Sequence, residues 1–278
     1  MMKRNTLFIL LVLLATAMTG AAQTNAQKDS ITIEKLLATG DTTTLYYARQ
    51  FLGRPYVSYT LEVNNTEKLV VNTRQLDCTT LVETVTALTL CAKQGQRTFA
   101  DFKRQLQQLR YRGGVLDGYP SRLHYFSDWI DDNTGMGFVR EVQQDSVPFT
   151  AVQKLYIAFM SRYPQSYKAL RNQPRLIKPI AAMEKTLCGR TYRYIPKAQV
   201  LNTEAMRQAV HDGDILAITC STKGLDVSHV GFAVWKKDGL HLLNASSIHK
   251  KVVDEPMTLR QYLYKHPKFT GIRVVRVQ

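Results

Sequence analysis

Residues 226–247 read DVSHVGFAVWKKDGLHLLNASS, two runs rich in β-branched and apolar residues on either side of a Lys236–Gly239 turn. That pattern predicts an antiparallel hairpin. Strand alternation sets Val230, Phe232 and Val234 on one face and His229, Gly231 and Ala233 on the other. The small residues beside His229 are expected to leave room for a helix N-terminus to approach. Any hairpin loop of even length puts residues 229 and 244 on the same face. Asn244 is therefore expected opposite or diagonal to His229, within a side chain's reach, and His241 on the other face.

Working outward, 213–219 and 270–277 are further short β-rich runs, whereas the N-terminal part is helical in pattern. Residues 31–52 read as helix up to the Gly53/Pro55 break. Residues 79–93 read as a second helix, with Leu81, Val82, Val85, Leu88 and Cys91 at helical spacing. Thr80 with Glu83 offers a capping box, which sets the helix start close to Cys78. The segment from about 98 to 188 reads as mostly helical. It contains an amphipathic helix through Phe99, Phe102, Leu106 and Leu109, the aromatic string SRLHYFSDWI at 121–130, and a further helix at 151–163. Helices first and antiparallel strands later predict an α+β fold.

The first residues predict a protein that works outside the cytoplasm. Lys3 and Arg4, an apolar run from Leu7 to Ala17, and small residues Gly20 to Ala22 follow the order of a secretory signal peptide. The run is about half the roughly 20 residues needed to cross a bilayer. Cleavage near Ala22 would release a periplasmic or secreted chain from Gln23, without a stable membrane anchor. The formal charge of +15 suits anionic envelope surfaces and carboxylate-bearing peptides. No motif points to nucleic acid, and no C-x-x-C or H-E-x-x-H to a metal; no cofactor is expected.

Cys78 follows Asp77 at a predicted helix start, where free N–H groups and the helix dipole favour a thiolate. Cys91 falls on the apolar face of the same helix and reads as packing. Cys188 and Cys220 leave a disulfide open. Of the six histidines, His211, His249 and His266 stand in polar, turn-like contexts, whereas His229 lies within the predicted strand beside small residues and is the candidate base. Asn244 is the candidate to orient it.

Five fragments in order carry a resemblance: Gly53-Arg54-Pro55-Tyr56, Asp77-Cys78-Thr79-Thr80, Gly213-Asp214-Ile215-Leu216, Ser228-His229-Val230-Gly231-Phe232 and Asn244-Ala245-Ser246. Together they resemble the NlpC-type cell-wall cysteine peptidases. The resemblance implies a papain-like core, a nucleophile-bearing helix packed on an antiparallel sheet, over 23–278 with a helical insertion at about 98–188. It also implies Cys78 as nucleophile, His229 as base and Tyr56 with its hydroxyl near the nucleophile. Many members have histidine where this chain has Asn244. LDCTTLVE and SRLHYFSDWI are more similar to the N-acetylmuramoyl-L-alanine amidase-like branch. That implies cleavage between N-acetylmuramic acid, in the anhydro form of released muropeptides, and L-alanine; separately, the chain is expected to be a monomer.

In the segment 121–130, Tyr125, Phe126 and Trp129 offer a stacking face for sugar, and Arg122, His124 and Asp128 hydrogen bonds. The alternatives are a γ-D-glutamyl–diaminopimelate endopeptidase on the same scaffold and a non-enzymatic basic envelope-binding protein.

Overall fold

A computed structural model describes residues 23–278; the signal-peptide reading of 1–22 lies outside the described residues. The helices are α1 (Asn25–Leu37), α2 (Thr44–Arg49), α3 (Cys78–Lys93), α4 (Phe99–Arg110), α5 (Phe126–Gly135), α6 (Phe159–Arg162), α7 (Lys168–Asn172), α8 (Ile177–Leu187), α9 (Glu204–Ala209) and α10 (Leu259–Lys265). The strands are β1 (Val139–Val142), β2 (Ala151–Lys154), β3 (Thr191–Pro196), β4 (Ile215–Cys220), β5 (Val227–Lys236), β6 (Gly239–Ser246), β7 (Lys251–Asp254) and β8 (Phe269–Val277). None of the described helices is long and apolar enough to cross a membrane.

All eight strands join one antiparallel sheet in the order β2-β3-β8-β4-β5-β6-β7, with β1 also on β8. The fold is α+β. The segment 98–188 is less helical than its pattern suggests. It gives β1 and β2 to the sheet, and the helix expected at 151–163 is a strand followed by the single turn α6. Residues 31–52 likewise divide into α1 and α2, separated by Gly40 at φ 74°, a conformation that a side chain resists.

The core lies on both sheet faces. Val230, Phe232 and Val234 of β5 pack with Leu81, Val82 and Val85 of α3, while Ala233, Leu240 and Leu242 pack on the opposite face with Leu259 and Leu263 of α10. α3 is enclosed nearly all round: every residue from Thr80 to Ala92 is buried. A central helix of this kind needs no polar face. Its one carboxylate, Glu83, is paired with Arg110 of α4 at 2.7 Å, both side chains 2% exposed. Arg110 Nη1 also donates to the Val70 carbonyl at 2.6 Å. Breaking such a buried pair by removing one partner strands the other charge.

Candidate active site

α3 begins on Asp77, not on the Thr80–Glu83 box expected from the sequence. The Asp77 carboxylate accepts from the Thr80 N–H at 2.8 Å, and the Thr80 hydroxyl accepts from the Asp77 N–H at 2.9 Å. The cap is thus spent on the third helical N–H. Cys78 and Thr79, in the first two positions, keep N–H groups that have no acceptor within the helix. The segment Gly53–Val57, outside the named strands, braces this corner through single bridges. It lies between Leu76, through Val57 N–H to Leu76 O at 3.1 Å, and the β7 side, through Tyr56 N–H to Lys250 O at 2.9 Å.

β5 delivers the histidine. Its pairing with β4 slips between Ile218↔His229 and Thr219↔Val227, leaving Ser228 as an extra residue. This β-bulge re-aims the strand start, as bulges beside active sites do. Cys78, His124, Phe126, Ser228 and His229 line one small cavity of about 80 Å3. Cys78, Tyr56, His124 and Ser228 also line a wider neighbour of about 630 Å3, with Tyr59, Tyr119 and Tyr167.

The hairpin register pairs Phe232 with Leu243, and its continuation sets Gly231 opposite Asn244. His229 is then diagonal to Asn244, as the loop parity predicts. His229 Nε2 meets Asn244 Oδ1 at 2.9 Å. The room beside His229 serves a different purpose from the one expected. A Cβ on Gly231 would lie 2.6 Å from Leu243 O and 2.9 Å from Asn244 Cβ, so glycine there makes space for β6 and not for the helix end. α10 covers this face, with the Tyr262 ring 6.3 Å from the His229 ring.

The Asn244 amide nitrogen donates to Glu255 Oε1 at 3.0 Å, and His249 Nε2 lies 3.2 Å from Glu255 Oε2. With its nitrogen held there, Asn244 can present only its oxygen to His229. Nε2 of His229 must then carry the proton, leaving Nδ1 as the basic nitrogen. Glu255 has no motif around it in the sequence, and hairpin parity stops at β6.

The surroundings of Cys78 oppose the thiolate expected from the helix start. Burial, then the Asp77 charge, push the Cys78 thiol up to about 12, against weaker opposing pulls from the Val230 and Thr79 backbones and the Thr79 hydroxyl. Burial also lowers the His229 imidazole, only partly offset by Asn244, Glu255 and Asp77. Both shifts run towards the neutral forms, a thiol beside an imidazole. Tyr56 is held protonated, pushed up to about 12 by burial and then by Cys78 and Asp77. Cys91 is buried in the core with its thiol also at about 12. Cys188 and Cys220 are free thiols.

The expected sugar-binding residues divide. Arg122 and His124 line the wide cavity. Arg122 is nonetheless engaged, 2.5 Å from Glu62 and 3.7 Å from Glu67. His124 holds the Tyr119 carbonyl through Nε2 at 2.8 Å, and burial followed by the Arg122 charge pushes it down to about 3. Tyr125, Asp128 and Trp129 do not reach either cavity. Trp129 is 0% exposed and stacks on Phe126 at 4.9 Å, because α5 turns its apolar side into the core. Tyr125 donates to Glu184 at 2.6 Å, and Asp128 is bound by Arg112. The aromatic wall is instead Tyr59, Tyr119 and Tyr167, scattered residues with no shared sequence pattern. No group of three or more His, Cys, Asp or Glu side chains among the described residues could hold a metal ion.

Fold and site together define an amidase-like protein: the chain belongs to the AmiA-like, N-acetylmuramoyl-L-alanine amidase-like family, whose model matches residues 46–272. The chain is similar to an N-acetylmuramoyl-L-alanine amidase from Bacteroides uniformis, with 41% identity, TM-score 0.79 and coverage of 86% of this chain and 99% of that one. It is also similar to a protein from Bacteroides fragilis named as a candidate xylanase, with 43% identity, TM-score 0.78 and coverage of 84% and 100%. A Legionella pneumophila protein, LPG0564, shares the fold at 22% identity, TM-score 0.71 and coverage of 91% and 95%. No curated protein matches the chain.

Proposed function

We propose that this chain is an exported cysteine amidase with a papain-like core. It cleaves the amide between the lactyl group of N-acetylmuramic acid, in the anhydro form of released muropeptides, and L-alanine. The observation that carries the reading is the shared cavity of Cys78 and His229, with Asn244 on the far nitrogen of the imidazole.

From a neutral resting pair, His229 Nδ1 takes the Cys78 proton as the sulfur attacks the lactyl carbonyl carbon. The oxyanion meets the Cys78 N–H at the helix start and the Tyr56 hydroxyl. The imidazolium, stabilised by Asn244, returns the proton to the departing L-alanine nitrogen. Water, deprotonated by His229, then hydrolyses the thioester and restores the thiol. No step requires a metal.

A xylanase would need two opposed free carboxyl groups. The acidic residues lining the two cavities are otherwise engaged: Glu62 by Arg122, Asp77 by the helix cap and Asp226 by the Ser127 N–H. The test is product analysis on anhydro-muropeptides with the parent and Cys78→Ala. Free disaccharide and whole stem peptide from the parent alone support the amidase. A shortened stem would indicate the γ-D-glutamyl endopeptidase.

A further inference from the structure

An amide that joins a muramic acid to a stem peptide has halves of opposite character. The sugar half is uncharged once its lactyl carboxyl is in the amide, and it offers ring faces and hydroxyls. The stem half bears several free carboxylates. The cavity in which Cys78 and His229 meet, about 80 Å3, holds the reacting atoms and little else. An extended peptide advances about 3.4 Å per residue, so both halves must leave it within a residue or so.

Two larger cavities flank it, and their linings differ in the same sense as the two halves. The tyrosine-walled one, about 630 Å3, shares Cys78, His124 and Ser228 with it. The second, about 550 Å3, meets it at Leu225, which lines both. Lys154, Arg162 and Lys223 line this second cavity, and no acidic side chain does. All three are exposed, and none forms an ion pair among the described residues.

Gln153, on the same wall, spends its amide nitrogen on the Asp226 carbonyl at 2.8 Å. Its Oε1 is buried and without a partner. An unsatisfied buried acceptor costs free energy unless a donor reaches it, and the N–H groups of a bound peptide are such donors.

We infer that the Lys154–Arg162–Lys223 cavity is the stem-peptide subsite, binding the carboxylates beyond L-alanine on the leaving-group side. Gln153 Oε1 accepts from the peptide backbone there. This rests on the amidase reading and adds to it a preference for long, anionic stems.

The test compares anhydro-N-acetylmuramoyl-L-alanine with the same anhydro sugar bearing the full stem peptide, using the parent and a Lys154→Gln/Arg162→Gln/Lys223→Gln variant. Each exposed cation is worth a few-fold at most, so the variant should lose about ten-fold in kcat/KM on the full stem. It should keep the parent rate on the L-alanine compound and melt at the parent temperature. The parent's preference for the full stem should also shrink as salt is raised. A parent that cleaves both equally, or a variant that keeps the preference, would overturn the subsite and leave the amidase reading standing. Cleavage of neither compound would overturn both.

Discussion

The hydrogen bond between Asn244 and Glu255, 3.0 Å long and buried at both ends, decides which side of the Asn244 amide His229 meets. The carboxylate takes the NH2 group, so the oxygen turns to His229 Nε2 at 2.9 Å. Glu255 thereby acts on His229 through a second residue. Glu255→Ala should free the amide to turn its NH2 group towards Nε2, favouring the wrong tautomer. We expect kcat to fall by at least about ten-fold with KM nearly unchanged, and Glu255→Gln, which keeps an acceptor, to recover most of the loss. Steady-state kinetics beside thermal melting checks this; a parallel loss of stability and KM in both variants would make Glu255 purely structural.

With its thiol raised to about 12, Cys78 is expected to be protonated at neutral pH. Its alkylation by iodoacetamide should therefore climb roughly ten-fold per pH unit through the neutral and mildly alkaline range. A plateau near neutrality would show a preformed thiolate–imidazolium pair. The lowered His229 moves the acid side of the kcat profile the other way. Because the imidazole stays neutral as pH falls through the usual histidine range, turnover should persist below about 6.5. Cys91, enclosed in the core, should remain unlabelled in the folded protein.

Trp129 and Tyr59 should separate core from recognition. Trp129→Ala empties a fully buried site on Phe126 and should cost about 3–5 kcal/mol of stability, read by denaturant titration. Tyr59, 62% exposed on the wall of the wide cavity, can be truncated without a core penalty. Tyr59→Ala should raise KM for sugar-bearing substrates at a parent melting temperature. An unchanged KM would remove that cavity from sugar binding.

Gly231→Ala tests the approach of β6. The added methyl would meet Leu243 O at 2.6 Å and Asn244 Cβ at 2.9 Å. β6 backbone cannot yield without moving Asn244 off His229. We expect a lower melting temperature and a loss in kcat larger than that of Asn244→Ala, which removes the side chain but leaves the ladder. Parent-like kinetics would show that the hairpin absorbs the methyl elsewhere.

The central strands and the Cys78 helix were legible because alternation in β5 and helical spacing in α3 are local signals. Hairpin parity carried this further and placed Asn244 beside His229. The thiolate expectation weighed only the helix start, whereas burial and the Asp77 charge, which oppose it, depend on tertiary packing. Trp129, Tyr125 and Asp128 were misread for the same reason: an aromatic string does not say which way its helix faces. Strands β1, β2, β3 and β7 are each six residues or shorter and are held by distant partners, so little in their own composition announces them. Glu255 lies eleven residues from Asn244, in a connection whose path no periodicity fixes.

An amidase and an endopeptidase on this scaffold differ in which half of the substrate becomes attached to the nucleophilic sulfur. Anhydro-muropeptide mixed with the protein, quenched in acid during turnover and examined by intact-protein and peptide mass spectrometry, reports both at once. We predict an adduct on Cys78 with the mass of the sugar half linked through its lactyl carbonyl, released stem peptide beginning at L-alanine, and no adduct in Cys78→Ala. An adduct carrying the L-alanyl-γ-D-glutamyl portion, or undiminished turnover by Cys78→Ala, would contradict it.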